Sequence, residues 1–483
     1  MSIPFARHVQ AIPYGQIITS ALTLLLCFLL VAQPARAQNS PQTSPSSNEP
    51  EREQLLNGLR LLIWPKPGSS EVLLKLRINS GSAFDLAGKS GQMALLGDLL
   101  FPDANTVEYF REEMAGKLEV AVNYDSTTIT MVGKTSEFEQ IVDTLRAALL
   151  ATQLTPEVIT RIREARIKSV KDTAIAPPLV ADRAIAARLF DDFPYGRLMS
   201  GTPEDLARVQ RADLMLARER FLNSNNATLA IVGGITRARA LRTLRQLLGP
   251  WRKSENIVPT TFRQPKAPDA RTLIVNVPGS AAEVRLAVRG VSRTDPDYFP
   301  AKILAKVAEQ RWQGITPELV KQPVFARSQS HALPGAFVMG ATIDPQHAAD
   351  TLANARKVME SLIATPATAA ELDRAKTEAV GEVSGILSKP ESFPDPWLDV
   401  ETYHLSALQD QIALLRSVTA QDVQRIASRL FKEPRLASVI AGDTLPLKAA
   451  LQGRFQYEVL GEMATPPPAP KPAARPETKT SPG

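Results

Sequence analysis

Few side chains in this 483-residue sequence are suited to nucleophilic or transition-metal chemistry. The single cysteine, Cys27, lies in an apolar run near the N-terminus, so the body of the chain offers no thiolate ligand, disulfide or cysteine nucleophile. Three of the four histidines fall in the second half of the chain: His331, His347 and His404. No two of them stand at the i, i+4 spacing with which a helix presents two ligands to one metal. We therefore expect all three to be surface or hydrogen-bonded side chains.

The N-terminus has the pattern of a secretory signal peptide over residues 1–37. Arg7 precedes an apolar run at 17–32, and residues 35–37 read Ala-Arg-Ala, a typical cleavage site. The alternatives are an uncleaved anchor, for which the run is short, and a lipoprotein, although apolar residues continue on both sides of Cys27. Cleavage predicts a periplasmic or secreted protein without a membrane span.

Composition indicates a globular body between Pro-rich ends. Apolar residues make up 44% of the chain, enough for a sizeable core, and the net charge of +6 is too small at this length to favour nucleic-acid binding. Residues 38–51 are predicted to be a disordered linker and 461–483 a disordered Pro-rich tail. The tail is either a solvated spacer or a ligand for a proline-binding module.

The body contains a long-period internal repeat. The sequence Pro-Gly-Ser-Ser-Glu-Val at 67–72 recurs as Pro-Gly-Ser-Ala-Ala-Glu-Val at 278–284, with a β-rich run before it and an alternating strand after it in both copies. Residues 213–233 align without gaps on 422–442, and both segments read as an amphipathic helix followed by a buried strand. Two matches at nearly one offset indicate an internal duplication.

The duplication predicts two homologous halves at 52–250 and 268–460, joined by a linker at 251–267. Asn-Tyr-Asp at 123–125 marks the turn of a predicted hairpin over 117–134. Helical spacing is found at 106–115, 137–151, 155–174, 368–387 and 419–431. Because strict β-α-β alternation is absent, we expect an α+β fold in which each half is a largely antiparallel sheet with helices packed on it.

An ordered set of short motifs resembles one known family. The set comprises Pro194-Tyr195-Gly196, Gly201-Thr202-Pro203-Glu204-Asp205-Leu206, Asn225-Asn226-Ala227-Thr228-Leu229 and Val232-Gly233-Gly234. Together with the duplication, these motifs are similar to the insulinase/pitrilysin family of zinc peptidases, which includes the mitochondrial processing peptidase. The resemblance implies two sheet-and-helix halves in a metallohydrolase-like roll.

The family's zinc motif, H-x-x-E-H, is degenerate in this sequence. The resemblance places Ala94 on the first histidine, Gly97 on the glutamate and Asp98 on the second histidine, and the third ligand falls near Ser169. One carboxylate of this set could bind a metal, whereas catalytic zinc has three protein ligands. We therefore expect no zinc, no other cofactor and no catalytic residue, with Asp98 acting as a helix-face or N-cap-like carboxylate.

Two further features follow from the resemblance. In the family, the substrate peptide adds as a strand to a sheet edge beside the zinc helix, and the corresponding edge is Leu118, Glu119, Val120, Ala121 and Val122. The alternative is an ordinary sheet strand. An Arg…Tyr pair that grips the substrate aligns with Val320 and Arg327, so Arg327 is either a substrate contact or a plain surface arginine.

The sequence thus predicts an exported pseudo-peptidase. Our first hypothesis is a non-catalytic subunit that pairs with a zinc-bearing homologous subunit to act on peptides. The second is a free-standing peptide-binding or scaffolding protein. A third, an active zinc endopeptidase with atypical ligands, needs histidines that this sequence lacks.

Overall fold

The computed structural model describes residues 49–173, 176–432 and 435–461. The predicted signal peptide, most of the predicted 38–51 linker and the tail beyond Gly461 lie outside the described residues. Among those described, no helix has the length and apolarity needed to cross a membrane.

Six strands of the first half form one sheet in the order β1-β2-β6-β3-β5-β4. Only β2 and β6 pair in parallel; the other neighbours are antiparallel. The strands are β1 (Glu51–Gln54), β2 (Arg60–Pro65), β3 (Glu71–Ile78), β4 (Lys117–Val122), β5 (Thr127–Lys134) and β6 (Ala227–Gly233). The helices are α1 (Gln92–Asp98), α2 (Ala104–Glu112), α3 (Phe138–Arg146), α4 (Pro156–Thr173), α5 (Pro177–Phe190), α6 (Pro203–Arg208), α7 (Arg211–Phe221) and α8 (Arg237–Leu248).

The second half repeats this plan with a sheet of order β12-β7-β11-β8-β10-β9. Its strands are β7 (Thr272–Asn276), β8 (Ala282–Arg289), β9 (Phe325–Gln329), β10 (Ala336–Ile343), β11 (Ala437–Gly442) and β12 (Tyr457–Val459). Its helices are α9 (Tyr298–Ile315), α10 (Ala348–Ala364), α11 (Ala369–Ser388), α12 (Asp395–Tyr403), α13 (Leu408–Ser417), α14 (Ala420–Phe431) and α15 (Thr444–Leu451). The predicted α+β class with two sheet-and-helix halves is confirmed.

The repeated helix–strand segment shows how local sequence specifies these elements. Thr419 accepts a hydrogen bond from the Asp422 amide, and Asp422 accepts one from the Thr419 amide, a reciprocal pair that satisfies free N–H groups at the start of α14. Val423, Ile426 and Leu430 then recur at helical spacing and are buried against the second sheet.

Each sheet buries both faces, and the second face is covered by a helix from the other half. In β2, Leu61 and Ile63 point into the core of the first half, whereas Leu62 and Trp64 pack against Trp397 of α12. This alternation follows from the two-residue period of a strand.

The exchange is reciprocal. Ala181, Ile185 and Leu189 of α5 pack against Ala287 of β8 and Val439 of β11 in the second sheet. The two halves therefore each lend one helix to the other.

Ion pairs also join each of these two helices to the sheet of the other half. On β3, Lys75 lies 2.7 Å from Asp395 of α12 and Arg77 lies 2.5 Å from Asp399. On β8, Arg285 lies 2.5 Å from Asp182 of α5. The basic side chains belong to the sheets, and the carboxylates belong to α5 and α12, the two helices that cross to the other half and are called the crossing helices below.

Candidate functional site

The start of α1 is fixed by a buried carboxylate and a glycine. Asp85 accepts hydrogen bonds from the amides of Gly91, at 2.7 Å, and Met93, at 2.8 Å. Gly91 has a φ of +84°, and a Cβ there would lie 2.6 Å from the Cα of Gly201. The Gly-Thr-Pro motif noted in the sequence thus packs against the beginning of α1.

Ala94 and Gly97 occupy the inner side of α1. Ala94 is buried, and a Cβ at Gly97 would come within 3.1 Å of Val120 and 3.3 Å of Val122 on β4. Neither side chain has an atom that could bind a metal, and neither has a carboxylate that could activate water.

Asp98 is held by an arginine that sequence reasoning missed. Arg166 of α4 places Nε 2.5 Å from Oδ2 of Asp98 and Nη2 2.8 Å from Oδ1, a bidentate pair. Its Nη2 also donates to the carbonyl oxygen of Ala94 at 3.2 Å. The guanidinium therefore bonds to both positions that the resemblance aligns with the zinc-binding histidines. Asp98 is the last residue of α1, so it is a helix-face carboxylate and not an N-cap.

One pocket brings most of the predicted positions together. Gly97, Asp98 and Ser169 line it with Leu118 and Val120 of β4, and Arg166 forms part of the same wall. These side chains do not fit zinc, because the carboxylate is bonded to a guanidinium and Ala94 and Gly97 supply no ligand. None of the described residues forms a group of three or more histidine, cysteine or acidic side chains positioned for a metal.

The predicted peptide-binding segment is the edge strand β4. Leu118 is buried, Glu119 and Ala121 are exposed, and Val120 and Val122 are half-buried. Within the described part of the chain, no side chain bonds to the outer backbone edge of β4, and Lys117 at its start pairs with Glu119 and Glu391.

The corresponding edge strand of the second sheet, β9, is capped by side chains of α9. Glu309 accepts a hydrogen bond from the Ala326 amide at 3.2 Å, and Gln313 accepts one from the Val324 amide at 3.0 Å. These bonds occupy backbone donors that an added strand would need. Arg327 lies on β9 with its guanidinium 4.3 Å from the Phe325 ring, and it is not among the residues that line the β4 pocket.

The histidines lie apart. His347 follows β10 in a short 3₁₀ turn, and His404 ends α12 with a φ of +53°. His331 joins a buried cluster that sequence reasoning missed, in which its Nδ1 lies 3.5 Å from Oδ2 of Asp125. Tyr403 donates to the same carboxylate at 2.8 Å, and Tyr195 donates to its other oxygen at 3.3 Å.

This cluster connects both halves of the chain. Burial and the neighbouring Asp125 charge raise the pKa values of Tyr195 and Tyr403 well above their ordinary range, so both hydroxyls stay protonated and donate. The Asn-Tyr-Asp turn and the Pro-Tyr-Gly motif were visible in the sequence, but no local pattern indicated that they meet.

Comparison with known proteins finds similarity to peptidases and to peptidase subunits. Residues 208–379 match the family described as Peptidase M16 inactive domain. The beta subunit of the mitochondrial-processing peptidase of Lentinula edodes and the probable one of Schizosaccharomyces pombe are each 20% identical to it. The alignment with the S. pombe subunit covers 60% of this chain and 66% of that subunit. The alignment with the L. edodes subunit covers 52% of this chain and 56% of that subunit.

Solved structures share the fold. A peptidase M16 inactive domain from Pseudomonas fluorescens superposes with a TM-score of 0.72 at 18% identity, covering 82% of this chain and 98% of its own. A protease from Helicobacter pylori gives 0.73 at 17%, covering 81% and 98%. The first half of the periplasmic protease PqqL from Escherichia coli gives 0.67 at 16%, covering 83% and 93%. These structures show the fold, and together with the family match over residues 208–379 and the two processing-peptidase subunits they confirm the resemblance recognised in the sequence.

Proposed function

We propose that this chain, which carries an M16 inactive domain over residues 208–379, is an exported, non-catalytic subunit of a heterodimeric metallopeptidase. In this role it closes a peptide chamber against a homologous subunit that carries the zinc. The beta subunits of mitochondrial-processing peptidases, by their names components of an assembly, support a paired arrangement.

The observation that carries the proposal is the ion pair between Arg166 and Asp98. The guanidinium bonds to both carboxylate oxygens of Asp98 and to the backbone carbonyl of Ala94, at the two positions where the resemblance expects zinc ligands. To bind a metal, the Asp98 carboxylate would have to give up this charge-assisted pair. Hydrolysis in this proposal therefore belongs to the partner.

The β4 edge can bind a peptide without a metal. An extended peptide can pair with the backbone of residues 118–122, while the pocket formed by Leu118, Val120 and the end of α1 receives one of its side chains. The corresponding edge of the second sheet, β9, is capped, which supports β4 over β9 as the strand that accepts the peptide.

The test is reconstitution with a homologue from the same host that contains H-x-x-E-H. We expect the mixture to elute as a heterodimer, to contain zinc and to cleave peptides that neither chain cleaves alone. Replacing a motif histidine of the partner with alanine should abolish cleavage and zinc binding. The Arg166→Met variant of this chain should leave the zinc content of the heterodimer unchanged.

The free-standing peptide-binding protein is the second candidate, favoured by the open β4 edge. A monomer that binds extended peptides but leaves the partner's activity unchanged would support it and contradict the subunit proposal. Stoichiometric zinc in the isolated chain, lost in an Asp98→Ala variant, would contradict both.

A further inference from the structure

A second concave surface lies on the first half, away from the β4 pocket. It encloses about 1150 Å³ between α7 and the segment that runs from the end of α3 to the start of α4. Its walls include Leu150, Pro156 and Trp251. Met215 and Leu216 of α7 also line it and are 46% and 47% exposed, so two large apolar side chains face solvent side by side.

The charges around this groove are basic and incompletely neutralised. Arg211 donates to the carbonyl of Leu154, and Arg218 donates to the carbonyls of Thr152 and Leu149. No carboxylate among the described residues pairs with either arginine, and burial lowers the pKa of Arg218 from its ordinary value. An arginine nevertheless stays charged at any physiological pH.

One carboxylate belongs to the groove wall. Glu219 pairs with Arg252 at 3.1 Å, so the wall carries three arginines against one glutamate. The groove thus combines an exposed apolar pair with a positive rim, which is complementary to an apolar stripe flanked by acidic residues.

We propose that this groove docks an acidic amphipathic helix of a protein partner, with the apolar face of that helix against Met215 and Leu216. The proposal goes beyond the peptide site at β4, since the two pockets share no lining residue. An amphipathic helix lying in an apolar groove is a recurrent mode of recognition.

Other occupants fit less well. Residues 38–48 of this chain carry no charged side chain, and residues 462–483 carry three basic side chains against two glutamates, so the side chains of neither segment have a net negative charge. A second copy that offered the same groove would set arginines against arginines. A flat lipid surface would leave the concave floor unfilled.

The experiment measures binding of synthetic amphipathic peptides of about 18 residues, long enough for helix formation, to the full chain by fluorescence anisotropy. Three peptides share one leucine stripe and differ in their polar face, which is glutamate, glutamine or lysine. We expect the glutamate peptide to bind at least about tenfold more tightly than the lysine peptide. Added salt should weaken its binding.

Matched variants locate the binding. The double variant Met215→Glu, Leu216→Glu should bind the glutamate peptide about tenfold or more weakly than the parent chain does, as expected for residues at the centre of an interface. Leu445→Glu is the control, because Leu445 is a 79% exposed apolar residue on α15 outside the groove, and it should leave binding unchanged. Thermal unfolding midpoints of both variants should stay close to that of the parent chain.

Three results would overturn the proposal. The first is binding of the lysine peptide as tightly as the glutamate peptide. The second is binding of the glutamate peptide to the double variant as tightly as to the parent chain. In the third result, phosphatidylglycerol vesicles bind to the parent chain but not to the double variant, and none of the peptides binds. This result would identify the groove as a lipid-contacting surface.

Discussion

At the scale of single residues, Arg166 is the bonding partner of Asp98 at the end of α1. It joins α4 to α1 through two bonds to Asp98 and one to Ala94. Its side chain is 18% exposed and that of Asp98 is 34% exposed, so water screens the pair only in part. The pair therefore connects α4 to the end of α1.

Replacing Arg166 with methionine should lower the free energy of unfolding by about 1–2 kcal/mol, because a half-buried carboxylate and a carbonyl lose their donor. Urea denaturation measures this loss. Arg111→Met is the control: Arg111 is 66% exposed and pairs with Glu108 and Glu112, so the loss should stay below about 0.5 kcal/mol. Equal losses in both variants would mean that the Arg166 pair has no special structural role.

The burial of Asp85 predicts a pH-dependent stability. Burial raises the pKa of Asp85 from 3.8 to about 7, although the amides of Met93 and Gly91 act in the opposite direction. The native state thus holds this proton to a higher pH than the unfolded chain does. The contribution of Asp85 to the free energy of unfolding is therefore fully present below about pH 4, and it is lost as the pH rises towards 7.

We therefore expect Asp85→Asn to remove a decline in unfolding free energy between pH 4 and 7, on the order of 4 kcal/mol at most. Urea denaturation across this range, compared with the parent chain, is the measurement. Asp422→Asn is the control, since hydrogen bonds from Thr419 lower the pKa of Asp422 to about 2 and its titration falls below this window. A decline that persists in Asp85→Asn would show that other groups cause it.

At the scale of elements, β4 and β9, the corresponding edge strands of the two sheets, differ in how they are protected. The β9 backbone is capped by Glu309 and Gln313, whereas β4 has no such cap among the described residues. Exposed edges invite pairing with another strand, so the capped edge is closed to partners and the open edge is available.

Removing the cap with Glu309→Ala and Gln313→Ala should speed hydrogen exchange of the Val324 and Ala326 amides by about fivefold or more, since each loses a hydrogen bond. Sedimentation velocity should also reveal self-association through β9. Glu382→Ala is the control, because it breaks a 2.5 Å pair with Lys306 on the same helix without touching β9. Unchanged exchange at both amides would show that the cap is not formed.

Much of this element plan could be predicted from the sequence. The hairpin around Asn-Tyr-Asp and the helices beginning near Thr155, Thr368 and Thr419 lie where periodicity and capping residues put them. The partner of Asp98 could not be predicted, because Arg166 lies 68 positions away and its spacing marks only a charged helix. The cluster around Asp125 was missed for the same reason.

At the scale of the whole molecule, the crossing helices α5 and α12 join the halves. Periodicity shows that a helix has an apolar face but not which sheet covers it, so the duplication predicted two halves without their exchange. Trp397 of α12 is 2% exposed and its ring centroid lies 6.1 Å from that of Trp64 on β2. We therefore expect the halves to stay together when the covalent connection between them is cut.

A protease site inserted after Ile257, a 49% exposed residue between the halves, tests this directly. We expect the cleaved chain to elute in size-exclusion chromatography at the position of the intact one, since each fragment buries a helix against the other's sheet. Adding Trp397→Ala should cost about 3–5 kcal/mol and make the cleaved fragments separate on dilution. Leu445→Ala, at a 79% exposed position, should leave them together. Fragments that part without Trp397→Ala would show that the linker, and not the exchanged helices, keeps the halves in one molecule.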